Sequence, residues 1–447
     1  MTSKSRLPLV LWSLLLVPCV PVYYSASHHI LTKGAPLSKS MLAVTLGCLF
    51  FTLLIVLPLF MKRGRDWIQT NVLKWMFSLS LMVMMFLACE GLLSGLAWCG
   101  WFPSTTCWLF EESMRTINFD PIRGYYLQAV PSRFTRIVNG ECEYVGTFKG
   151  NNYGFPDRDN FSPTRQDALR KRWAILGDSF SAGQYLRLNW PDSGEDFAQS
   201  LGTPLELLNF SVDGGGVANW WSILTRLIGE EKFSMDGVVF AVYPGDLQRG
   251  FSIGEHRGYR RHMFARVSSW DPETYPKSEE EARKLLKPLS GYIVSEKEFS
   301  SALRGEYQAI PELRAKLPFV TRRLVGLYER IFPSDRPRRP DRGKPVELIA
   351  DIKRYIVQHK IDVVVVAIPS RDGLLAGRDQ KEIPAATREF AEAMDATLIN
   401  GGSAFEGMTP EQIRAAWLPH DGHWGQEGSD RFAQFIVRQL LSRAPQR

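Results

Sequence analysis

The stretch Arg172-Trp173-Ala174-Ile175-Leu176-Gly177-Asp178-Ser179-Phe180-Ser181 decides how this chain is read. A short apolar run, Arg172 to Leu176, ends in a glycine-flanked turn that carries a serine. Near the other end the chain reads His420-Asp421-Gly422-His423-Trp424, followed by a helix-like segment. A serine hydroxyl is a poor nucleophile until a neighbouring imidazole takes its proton. The order Ser, then Asp-x-His, supplies nucleophile, orienter and base, provided that the fold brings distant strand ends together.

Working outward from Ser179, further apolar runs occur at Leu205 to Phe210, Gly237 to Tyr243, Ile361 to Ile368 and Ala396 to Ile399. Runs that are apolar at every position and rich in Val and Ile indicate strands buried on both faces, hence a parallel sheet. Helix-period segments near 217–230, 345–359, 379–394 and 427–443 alternate with them. The alternation predicts an α/β fold, a three-layer doubly wound parallel sheet of flavodoxin-like kind, with its ligand at the strand C-terminal ends. This domain is expected over 166–447. Residues 99–165, rich in Asn, Pro, Gly and aromatics, are expected to form an extracytoplasmic connector, with Asn151-Asn152-Tyr153-Gly154-Phe155 as a turn beside the catalytic strand. Residues 247–343 are too long for a simple crossover and are expected as an insertion. It holds a basic aromatic patch (Arg257, Tyr259, Arg260, Arg261, His262, Phe264) and a Pro/Arg stretch from Phe332 to Lys344. A solvated surface loop is one reading; a lid or groove for an anionic polymer or headgroup is the other.

Of the seven histidines, His28 and His29 fall at the end of an apolar stretch. His423 is best placed as the base, with Asp421 to orient it, and His420 is the weaker candidate. His420, Asp421, His423 and Glu427 are residue types that suit zinc, but no second cluster accompanies them, so neither metal nor cofactor is expected.

These blocks resemble the SGNH (GDSL-type) hydrolase superfamily, over roughly residues 150–443 outside the insertion. Gly177-Asp178-Ser179-Phe180 matches its first block, which implies Ser179 as nucleophile and its backbone N–H as an oxyanion donor. Asn209-Phe210-Ser211-Val212-Asp213-Gly214 fits the second, which implies the Gly214 N–H as another donor. The third block is usually Asn-Asp; here Gly245-Asp246 stands in its place, so a side-chain donor is missing. Losing one such donor typically lowers the rate about 10²–10³-fold. Asn151, Asn152 and Gln184 are candidate substitutes. The last block resembles Asp421-Gly422-His423-Trp424, one residue tighter than the common Asp-x-x-His. Catalytic residues are therefore expected at Ser179, Asp421 and His423. Asp178, Asn209, Gly245, Asp246, Arg260 and Arg261 are expected on the substrate side.

The first hundred residues differ from the rest. Three apolar stretches, about 7–25, 41–61 and 73–98, approach or exceed the ~20 residues that a helix needs to cross a bilayer. Pro8, Pro18 and Pro21 interrupt the first, for which a cleaved signal peptide is the alternative. Lys4 and Arg6 precede it, and Lys62, Arg63 and Arg65 follow the second. With three spans, residues 1–98 form a multi-pass anchor in the inner (plasma) membrane, and the catalytic part lies on the periplasmic or other extracytoplasmic side. An even number of spans reverses that side. Glu90, inside the third span, is read as structural in preference to functional.

Six cysteines are present; Cys99 and Cys107 are a candidate pair in an oxidising compartment, leaving Cys142 single. The net charge of +7 comes without aromatic-basic interleaving, so nucleic acid is not an expected partner. Together these features predict a membrane-anchored serine esterase, or O-acyltransferase, acting on an O-acylated envelope polysaccharide, a lipid-linked glycan or a lipid. Transfer implies a multi-span partner that supplies the acyl group. The alternative is an inactive scaffold of the same fold that binds glycan or assembles polysaccharide export machinery.

Overall fold

The computed structural model describes residues 12, 49–50, 52–53, 56–99, 101, 106–112, 116–167, 169–256, 260–307, 310, 313, 320–322, 324 and 345–443. The chain divides into two compact units, one of residues 1–103 and 314–341, the other of 104–313 and 342–447.

The first unit is organised by the helix Lys62–Trp98. At 1.5 Å per residue its 37 residues span about 55 Å. Its most apolar 18 residues reach a mean hydropathy of 2.0, and among the described residues no other helix is long and apolar enough to cross a membrane. The expected third span lies within it. The helix starts earlier than expected, so Lys62, Arg63 and Arg65 ride on its first turns and do not form a loop. The expected spans 7–25 and 41–61 fall largely outside the described residues. Glu90 accepts hydrogen bonds from Ser94 Oγ, from the backbone N–H of Val320 (3.1 Å) and from that of Thr321 (2.8 Å). It thereby holds backbone N–H groups of the helical residues 320–322.

The second unit contains β1 (Thr106–Glu111), β2 (Ile117–Asp120), β3 (Gly124–Leu127), β4 (Ser132–Val138), β5 (Glu141–Phe148), β6 (Lys171–Leu176), β7 (Leu205–Asn209), β8 (Gly237–Val242), β9 (Phe251–Glu255), β10 (Arg261–Val267), β11 (Lys287–Val294), β12 (Asp362–Ala367) and β13 (Thr397–Asn400). The five strands expected from apolar runs are β6, β7, β8, β12 and β13. They form one parallel sheet in the order β13-β12-β8-β6-β7. Every position of β8 is buried, as a strand covered on both faces requires. From β6 the chain steps out to β7, then returns past β6 to β8. That reversal puts a crevice at the C-terminal ends of β6 and β8. The terminal helix Gln426–Leu441 packs on Trp190–Ser200, while Val346–His359 packs on Val217–Ser222 and Ala385–Met394. Two helical layers thus enclose the sheet.

The segments expected as connector and insertion each contribute strands to a second sheet. Strands β1, β4 and β5 from the former and β9, β10 and β11 from the latter join in the order β5-β4-β1-β11-β10-β9. The junction is the parallel pair β1–β11, with Trp108 opposite Gly291. The pairing slips by one residue between Arg136 and Ile137 of β4, so Glu143 of β5 is left as the extra residue of a bulge. Cys107 of β1 points into an apolar cluster with Leu109, Ile137, Val294 and Phe299. Cys107 is a buried free thiol and Cys99, in the other unit, an exposed one.

Candidate active site

Strand β6 ends at Leu176, and the chain turns sharply through Gly177 and Asp178 into the one-turn helix Ser179–Ala182. A side chain at Gly177 would run into Ser181, whose Oγ lies 2.4 Å from where its Cβ would stand. Only glycine allows this approach. Asp178 caps the helix, its Oδ1 accepting from Phe180 N at 3.0 Å. The Gly177 carbonyl accepts from Trp220 Nε1 at 3.1 Å, and Ser181 Oγ accepts from Trp190 Nε1 at 2.9 Å. Two buried tryptophans therefore fix the turn from beneath, and Ser179 stands half-buried at its top.

The segment 417–424 is a tight loop closed by an antiparallel bridge between Trp417 and Trp424. Leu418 N donates to the His423 carbonyl at 3.0 Å. Trp424 is fully buried against Phe180 and Phe432, which anchors His423 just above the core. His423 Nε2 lies 2.7 Å from Ser179 Oγ, and its Nδ1 lies 2.7 Å from Asp421 Oδ1. With the proton on Nδ1 directed at Asp421, the Nε2 lone pair is free to accept from the serine. Burial opposes ionisation of both groups of the pair. For Asp421 the hydrogen bond and charge of His423, with help from Arg136, override burial and hold the carboxyl at about 2. For His423 the hydrogen bond and charge of Asp421 outweigh burial and raise the imidazole above its ordinary value. The rings of Phe180 and Tyr185 flank His423 at 4.7 and 4.8 Å.

The structure brings together the three residues expected to be catalytic. The expected substrate-side residues fare differently. Asn209 is fully buried; its Nδ2 donates to the carbonyls of Pro156 and Ser181, and its Oδ1 accepts from Ser211 N. It braces the backbone and does not face a ligand. Asp178 and Asp246 are 1% and 0% exposed. Both lie against Arg249 Nη1, at 2.9 Å for Asp178 Oδ2 and 2.7 Å for Asp246 Oδ1. Burial and the adjacent Asp178 push the Asp246 carboxyl well above the carboxylate range, against the pull of Arg249. This trio ties the Gly177–Ser179 turn to the turn after β8. Gly245 is exposed in that turn with φ +103°, a backbone conformation that excludes most side chains, asparagine's included, without strain. Gly214, in the loop after β7, has φ +70° and its carbonyl accepts from Ser252 Oγ and Arg266 Nη2.

Arg261 is committed to the Leu289 carbonyl and the face of Tyr292, and Arg260 is exposed opposite Glu298. Neither contacts the residues of the triad. Arg257, Tyr259 and the Phe332–Lys344 stretch lie outside the described residues. Asn151 and Asn152 brace their own turn, Asn151 through Tyr153 N, Phe155 N and the Asp159 carbonyl, Asn152 through Phe161. They are not free to replace the missing donor. Gln184 lies buried in the loop that follows Ser179. His420 and Glu427 are exposed, and among the described residues no three metal-ligating side chains converge.

Sequence reading missed Arg136, Glu143, Tyr144, Tyr185, Asp213 and Arg249. Arg136 Nη1 reaches Asp421 Oδ2 at 3.0 Å, and Tyr144 OH stands 3.5 Å from the same oxygen. Asp213 sits within the motif around Gly214; burial raises its carboxyl, Asp178 adds to the effect and His423 opposes it. Tyr185 OH is buried with no hydrogen-bond partner among the described residues. Only Asp213 and Arg249 carried a local signal, by lying inside or three residues past an expected block.

Serine, imidazole and carboxylate at these distances have the geometry of a proton-transfer chain able to activate a hydroxyl for attack on a carbonyl. No protein-family model and no curated protein matches the chain. Solved structures similar to it include a lipase/acylhydrolase from Enterococcus faecalis, at 12% identity and a TM-score of 0.31, over 62% of this chain and 99% of that one. A putative acylhydrolase from Bacteroides fragilis is 12% identical with a TM-score of 0.29, over 63% and 92%. A GDSL-like lipase from Bacteroides thetaiotaomicron is 12% identical with a TM-score of 0.28, over 61% and 88%.

Proposed function

We propose that the chain is a membrane-anchored serine esterase of the SGNH type that works through an acyl-serine intermediate. The observation that carries this reading is the pair of 2.7 Å contacts linking Ser179, His423 and Asp421. Ser179 Oγ attacks the ester carbonyl as its proton passes to His423 Nε2. The backbone N–H groups of Ser179 and Gly214 receive the oxyanion. Imidazolium then gives its proton to the departing alcohol, leaving the acyl group on Ser179. In the second half, water or a sugar hydroxyl loses its proton to His423 and attacks the acyl-enzyme, restoring the serine. Water gives hydrolysis; a hydroxyl gives O-acyl transfer.

The anchor is the apolar Lys62–Trp98 helix, and the basic residues near the N-terminal stretches favour an extracytoplasmic catalytic unit. Substrates that such an anchor favours are acylated glycans of the envelope, their lipid-linked precursors, or lipids. Transfer additionally calls for an acyl-donating membrane partner.

The test is reaction of the detergent-purified chain with a fluorophosphonate probe, beside Ser179→Ala and His423→Ala. Labelling of wild type that both substitutions abolish supports the reading. A folded wild type that does not label overturns it and leaves the glycan-binding scaffold.

A further inference from the structure

We infer that the six-stranded sheet belongs to the catalytic machinery: through Arg136 it positions Asp421 and sets the basicity of His423. This rests on the proposed nucleophile and base.

The arrangement is built across three strands. Trp108 of β1 stands opposite Arg136 of β4, which stands opposite Tyr144 of β5. The Arg136 guanidinium lies over the Trp108 ring at 5.2 Å, and Trp108 Nε1 donates to Tyr144 OH at 3.3 Å. Successive residues of a strand ordinarily face opposite sides. The bulge at Glu143 breaks that alternation and re-aims a side chain. Glu143 and Tyr144, though consecutive, both engage the 420–421 segment. Glu143 Oε1 accepts from His420 N at 2.6 Å, and its Oε2 holds Arg136 Nη1 at 2.9 Å. Arg136 and Glu143 are 12% and 2% exposed at their side chains, so solvent screens them little. Asp421 uses one carboxylate oxygen for His423 and presents the other to Arg136 and Tyr144.

The charges facing His423 are Asp421, Asp178 and Asp213, with Arg249 offsetting Asp178; Tyr185 contributes its ring. Those facing Asp421 are His423 and Arg136, beside the Tyr144 hydroxyl, with Glu143 behind Arg136. Arg136 therefore withdraws part of the Asp421 charge from the imidazole. Without it His423 holds its proton to higher pH. Without the Glu143 charge, Arg136 acts on Asp421 undivided and His423 releases its proton at lower pH.

The experiment is the pH dependence of fluorophosphonate labelling rate for the full chain. Arg136→Met is expected to move the acid limb up by about one pH unit, with Arg136→Lys close to wild type. Glu143→Gln is expected to move it down by roughly half a unit, and it carries the test alone should Arg136→Met fail to fold. A structural brace would slow labelling without shifting the limb in opposite directions. Limbs within about 0.2 unit of wild type, or shifts of the same sign, overturn the inference. If wild type does not label, the nucleophile reading fails and the inference with it. A labelled wild type with unmoved limbs defeats only the role of Arg136.

Discussion

Replacing Arg249 by methionine tests the buried trio that joins the two turns of the site. Arg249 touches Asp178 at 2.9 Å, Asp246 at 2.7 Å and the Gly215 carbonyl at 3.1 Å. The carboxylates are 1% and 0% exposed, so methionine fills the space of the stem but leaves a buried negative charge unmatched. Removing one partner of a buried ion pair typically destabilises by about 3–5 kcal/mol. The loss should depend on pH. In the wild type Asp246 is already raised with Arg249 present; without Arg249 the pair takes up one proton more, which the unfolded chain would release, so the folded pKa of that second group lies above its unfolded one. Stability from that proton is complete below the unfolded carboxylate pKa and declines as pH rises toward the folded value. The slope is about 1.4 kcal/mol per pH unit, so between pH 8 and pH 5 the deficit should shrink by up to roughly 4 kcal/mol. Urea denaturation followed by tryptophan fluorescence, wild type beside variant at both pH values, measures it. A deficit below about 1 kcal/mol at pH 8, or one that is equal at pH 5, would refute the reasoning.

Three further outcomes are expected. Because Asp421 raises His423 above its ordinary 6.5, wild-type labelling should fall as pH drops through a midpoint above that value; a midpoint below 6.5 contradicts the geometry. Tyr185→Phe deletes a buried hydroxyl that has no partner, so the urea midpoint should hold or rise by the equivalent of about 1 kcal/mol, and a clear fall would reveal a partner. Asn209→Ala strands the Ser181 carbonyl and the Ser211 N–H, while Pro156 keeps its bond from Asn189 Nδ2, and should destabilise by about 2–4 kcal/mol. Unchanged stability with weaker substrate binding would return Asn209 to the substrate side.

The parallel sheet was legible because strands such as Gly237–Val242 are apolar at every position, a pattern that few other structures require. The convergence of Ser179 with Asp421 and His423 was legible because Ser179 directly follows such a strand and the Asp-x-His pair stands just ahead of the helix Gln426–Leu441. The polar residues at the same strand ends were misjudged: Asn209, Asp178 and Asp246 announce polarity in sequence, but not whether it faces a ligand or the backbone. The six-stranded sheet was missed for a different reason. In β10, His262 and Arg266 interrupt the apolar pattern, and β1 finds its neighbour β11 far along the chain. Arg136 and Glu143 look like surface charges until that pairing and its bulge are known.

The long reach of these contacts also governs timing. Ser179 and His423 are 244 positions apart, and β1 must wait for β11 before its rung of side chains is supported on both edges. Closing such loops is slow relative to local structure. During synthesis Ser179 emerges well ahead of His423, the imidazole that stands beside it in the folded unit. On the proposed chemistry, reactivity waits until the loop ahead of the helix Gln426–Leu441 brings His423 against Ser179. On the same reading, a chain whose His423 loop is not yet in place lacks its base, and reaction with the probe reports that Ser179 and His423 have met.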